Sequence, residues 1–133
     1  MSAALAIGKL LAAQGFGVWA GAVNSSWSIN VGEEPDAPNK TITVYDTGGN
    51  GPDTDEMDVD DKTIQIRVRA SLRSEASEKI SAIRAYLATK VNKESEGRRF
   101  FAFIVQMDPA EIGKDDKKRF IFTMNYRTLS NEV

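Results

Sequence analysis

A chain of 133 residues with 41% hydrophobic and 27% charged side chains has the size and balance of a single folded domain, spanning 1–133, that can bury a core without staples. It contains no cysteine and no histidine, which excludes disulfides, thiol nucleophiles, imidazole bases, Ser-His-Asp and Cys-His mechanisms and the usual zinc ligand sets. The net charge of −2 hides a split: residues 1–62 hold 10 acids and 3 bases and residues 63–133 hold 9 acids and 14 bases, so opposite patches can meet within one fold or between copies.

Ser2 can cap a helix running through about Gln14, with Ile7, Leu10 and Leu11 along one face and Gly15 and Gly17 ending it. The segment has no basic stretch before it and is interrupted by Lys9, so it reads as neither a signal peptide nor a membrane span. Residues 27–31 and 41–45 alternate as strands, separated by an irregular connection carrying Pro35 and Pro38. The run Asp46-Thr-Gly-Gly-Asn-Gly-Pro-Asp is the densest turn signal in the chain. Residues 53–61 follow, with six acids (Asp53, Asp55, Glu56, Asp58, Asp60 and Asp61) and no base.

Residues 63–70 alternate cleanly, placing Ile64, Ile66, Val68 and Ala70 inward and Gln65, Arg67 and Arg69 on the other face. A helix over about 75–91, capped by Ser74, has the stripe Ala76, Ile80, Ile83, Leu87 and Val91. Two aromatic strands close the chain, 99–107 and 119–129, the second with Phe120, Phe122, Met124 and Tyr126 on one face; Asp108-Pro109 opens the turn between them. The expected fold is α+β: a mainly antiparallel sheet of about five strands with two helices packed on it, in the order α-β-β-β-α-β-β.

Several constellations invite chemistry. The acidic run offers oxygen ligands to a hard cation, but the position where a calcium loop needs glycine, counted from Asp53, is Asp58; it reads as a solvated loop with no metal. The glycines at 48, 49 and 51 have no Gly-Lys-Ser/Thr and no helix behind them, so they mark a turn and not a phosphate cradle. Arg67 and Arg69, with Arg73 just beyond, can grip carboxylates on a neighbouring chain, or else form the wet face of a half-buried strand. Lys114, Lys117, Lys118 and Arg119 are diluted by Asp115 and Asp116 and read as a solvated hairpin tip. Phe16, Trp19 and Trp27 read as core residues. No catalytic set and no cofactor site emerges.

Three stretches, in order, are similar to the phage minor capsid or tail-terminator family of long-tailed phages. The first is Val31-Gly-Glu-Glu-Pro-Asp-Ala-Pro followed by Ile42-Thr-Val-Tyr-Asp-Thr-Gly-Gly. The second is Thr63-Ile-Gln-Ile-Arg-Val-Arg leading into the helix at 76–87. The third is Pro109-Ala-Glu-Ile-Gly-Lys-Asp-Asp, then Arg119, then Asn125-Tyr-Arg. Ala70 departs from the family's tendency to place glycine there, and the acidic stretch before Thr63 is expanded.

The resemblance implies a non-enzymatic virion structural protein of the neck, assembled in the host cytoplasm. It implies a ring, commonly a homohexamer, that caps the tail tube and joins it to the head–tail connector proteins. DNA would pass through such a ring without specific binding, and no membrane is involved. On this reading Arg67, Arg69 and Arg73 are subunit-interface residues, and the acidic loop lies at the lumen or an axial face. The neighbouring alternatives are a head-closure or tail-completion adaptor. A small nucleic-acid-binding module using Arg67 and Arg69 is disfavoured by the negative net charge and the lack of interleaved aromatic and basic residues.

Overall fold

The computed structural model describes residues 2–19, 27–52, 59–88 and 93–132. The chain runs α1 (Ala3–Ala13), β1 (Val18–Trp19), β2 (Ser28–Val31), β3 (Thr41–Pro52), β4 (Asp60–Ala70), α2 (Arg73–Ala88), β5 (Lys93–Ser95), β6 (Arg98–Lys114) and β7 (Phe120–Glu132). The seven strands among the described residues form one sheet in the order β1-β2-β3-β4-β7-β6-β5. The first two pairings are parallel and the other four antiparallel.

This corrects the expectation of about five mainly antiparallel strands in the order α-β-β-β-α-β-β. The two extra strands, β1 and β5, are two and three residues long, too short for an alternating pattern to register in sequence. β2 and β3 are parallel because the connection through 32–40 carries the chain back before β3 begins. The Gly-rich run at 46–53 does not end its strand: β3 continues to Pro52, absorbing the glycines as register shifts against β4. β6 likewise runs through Asp108 and Pro109, with the proline inside the shift between Met107 and Ala110.

α1 begins where expected, with the Ser2 hydroxyl accepting from the Leu5 amide at 3.1 Å. The Ala4 amide is held by the Asp46 carboxylate of β3 at 3.1 Å, which ties the positive helix end to the sheet. α2 buries Ala76, Ile80, Ile83 and Leu87, the anticipated stripe; Val91 lies outside the described residues. Both helices join one core with Ile42, Val44, Ile64, Ile66, Val68, Phe100, Met124 and Tyr126. Each such fully buried side chain contributes about 1.5–3 kcal/mol. Phe16, Trp19 and Trp27 are partly buried at the margin of that core.

α1 packs against both β1 and β5, the two ends of the strand order. In a flat sheet six strand spacings would put these ends about 29 Å apart, more than a helix about 10–12 Å wide can bridge. The sheet therefore curls around the helix as a half-barrel.

Candidate assembly surface

The outward face of β3, β4 and β7 is not the wet surface that alternation alone suggests. Thr41, Thr43, Arg69 and Thr123 are buried there. The covering is residues 33–39, the connection from β2 to β3, which includes a cis Ala37–Pro38 bond.

Arg69 is 2% exposed and holds this loop with its whole guanidinium. It donates to the Pro38 carbonyl at 2.8 Å, the Asp36 carbonyl at 3.2 Å, the Asn39 carbonyl at 3.4 Å and the Glu34 carboxylate at 3.2 Å. Arg67, half-buried, takes the other oxygen of Glu34 at 2.9 Å. Burial pulls the Arg69 guanidinium below the ordinary arginine value, and Glu34 pulls it back up. From the hairpin tip Arg119, also buried, donates to the Asp36 carbonyl at 2.6 Å and carboxylate at 3.0 Å and to Asp115 at 2.8 Å. Lys117 reaches the second oxygen of Asp36.

Arg67 and Arg69 are thus engaged by acids of their own chain. Arg73 stands apart from them at the start of α2. It is 64% exposed, bonds Glu111 of β6 at 2.7 Å and lies over the Phe122 ring. Of the acidic run, Asp60 and Asp61 open β4 and are paired, Asp60 accepting from Arg98 at 2.8 Å and Asp61 from Nε and Nη2 of Arg127 at 2.8 and 2.7 Å. Asp53, Asp55, Glu56 and Asp58 lie outside the described residues. Among those described, no group of three or more His, Cys, Asp or Glu gathers as a cation site requires.

The large apolar side chains that remain exposed among the described residues are Val18, Leu72, Ile104 and Ile112. Ile104 and Ile112 sit on β6, and Leu72 precedes the Arg73 that bonds Glu111, so three of the four border one strand.

The family model for bacteriophage tail terminator proteins matches residues 10–130. The chain belongs to the phage tail terminator family. No curated protein sequence matches it. A tail terminator is a structural component of the virion tail, and the surface described above suits such a role.

Reading the terminator's sequence alone misses the loop clamp. Glu34 and Asp36 pass as residues of an irregular connection, and Arg119 as part of a solvated tip. The available signal is the pairing of Asp115 with Arg119 four residues on, which folds the tip back and aims the arginine at the sheet. The carboxyls of Asp36 and Asp115 both lie below the usual 3.8. Asp36 is lowered by hydrogen bonds from Lys117 and then Arg119; for Asp115 the upward pull of burial is outweighed by bonds from the Arg119 side chain and backbone.

A carboxyl depressed on folding adds stability above its unfolded pKa and loses it as pH falls through its folded pKa. Acidification below about pH 3.8 should therefore release residues 33–39 from the hairpin tip. Amide exchange of 39–43 against pH measures this, and Asp36→Asn should flatten the acid limb of that profile. An unchanged profile in the variant would refute the linkage.

Proposed function

We propose that copies of this chain form a ring, hexameric in the family's manner, that closes the end of the tail tube and joins it to the head connector. The observation that carries the reading is the family match over 10–130. The apolar side chains exposed on β6, Ile104 and Ile112, support it, because they can supply contact area. The activity is assembly and not catalysis.

Within the ring, Arg73, exposed next to Leu72, is the arginine that meets the neighbouring subunit. Arg67 and Arg69 serve indirectly, by fixing the loop that covers the sheet. A net charge of −2 gives little of the counterion release that drives phosphate binding. The duplex then passes without sticking.

Light scattering of the purified protein, alone and with isolated tail tubes, tests this. The expected species is several times the 14.6 kDa subunit, retains no duplex DNA and binds tube ends. A strict monomer at every concentration that also ignores tail tubes would overturn the proposal.

A further inference from the structure

β6 is paired along its length by β7 on one side, whereas on the other side only Arg98, Arg99 and Phe100 have a strand neighbour, β5. Among the described residues, positions 101–114 thus present an open edge, roughly 45 Å long at about 3.4 Å per residue. No residue from 101 to 114 is buried. A plain edge of that length would template pairing with any extended chain.

This edge is not plain. Register shifts fall between Phe100 and Ala102, Val105 and Met107, Met107 and Ala110, and Glu111 and Gly113. Pro109, inside the third shift, has no amide to donate. The stretch that stays regular is 102–105, matched one to one with Leu129, Thr128, Arg127 and Tyr126. Ile104, 40% exposed, stands in that window.

The remaining exposed apolar side chain, Val18, is on β1, at the opposite end of the strand order. We propose that the 102–105 window of one copy receives the β1 edge of a second copy, so that neighbouring sheets join head to tail. This rests on the ring reading above and names its contact.

Two observations select this occupant. A strand of two residues fits a regular window of four, whereas a longer strand would run onto the bulges at either side. A two-fold meeting of β6 with β6 would cover Ile104 but leave Val18 in water. Joining opposite ends of a sheet covers both, and repeated around an axis it is the heterologous contact that closes rings. The bulges then act as register stops, separating a specific ring from open-ended aggregation.

The chain has no cysteine, so introduced thiols report contacts without background. Ile104→Cys and Val18→Cys proteins, mixed and treated with a short bis-maleimide, should cross-link to dimers, while each alone should not. The double variant should give a ladder up to the ring number. Ile104→Lys should shift the scattering mass to monomer while keeping the circular dichroism and melting of the parent.

Cross-linking of Ile104→Cys with itself would overturn the head-to-tail contact in favour of a two-fold one. A ring that forms without cross-linking, or that survives Ile104→Lys, would overturn the edge assignment and leave the ring reading standing. A chain that stays monomeric in solution and on tail tubes would overturn both. If Ile104→Lys fails to fold, the cross-linking result decides alone.

Discussion

Arg69→Ala should cost about 3–5 kcal/mol of folding stability, because it removes one partner of a buried ion pair and strands the rest. The side chain is 2% exposed, and its loss leaves the Pro38 and Asn39 carbonyls and one oxygen of Glu34 without this donor, while the Asp36 carbonyl keeps only Arg119. Against a total of about 5–15 kcal/mol for a domain, that is about a fifth or more. Arg67→Ala, at a half-exposed position sharing the same carboxylate, should cost about 1 kcal/mol or less. Urea titration of both variants measures the contrast, with the midpoint falling far more for Arg69 and the slope unchanged. Equal, small losses would mean that the loop is not held through Arg69.

Gly49→Ala should be the most damaging small substitution in the β3–β4 ladder. Gly49 has φ +116°, and a Cβ there would meet the Asp61 carbonyl oxygen at 2.6 Å, the Lys62 Cα at 2.7 Å and the Thr63 nitrogen at 2.9 Å. All three are backbone atoms and cannot rotate aside. Gly48 has a comparable φ of +103° but open space around it. Gly48→Ala should therefore carry only the conformational strain, about 1–3 kcal/mol, while Gly49→Ala adds a collision that opens the ladder around 60–63. Thermal melts should rank the two, and amide exchange should show fast exchange at 60–63 in Gly49→Ala alone. Identical melts would remove the collision from the account.

The central part of this architecture was legible because it follows single-period patterns. Ile64, Ile66 and Val68 alternate inward as read, Phe122, Met124 and Tyr126 face them, and the α2 stripe packs over both. What was not legible depends on neighbours distant in sequence. β1 and β5 exist as strands because α1 and β6 position them, since a few residues carry no period of their own. Arg69 looked solvent-facing because alternation assigns a face but cannot say that residues 33–39 will lie across it. The Gly-rich run and Asp108-Pro109 looked like chain reversals because local turn chemistry does not distinguish a turn from a bulge inside a long strand. At the candidate site, Arg73 alone of the three predicted arginines is prominently exposed; of the residues that complete the clamp, Glu34 and Asp36 carry no local mark and Arg119 carries only its spacing from Asp115.

The strand order has a consequence for synthesis. β7 lies between β4 and β6, so the sheet's centre is sealed by a segment made after the other strands of the described residues, as the Asp61–Arg127 pair, 66 residues apart, illustrates. Until β7 emerges from the ribosome, β4 has an open side and β6 has no partner to set its bulges. Contacts so distant in sequence form late, after the entropy of closing the intervening loop has been met. The edge at 102–105 thus acquires its register only after β7 has paired with β6.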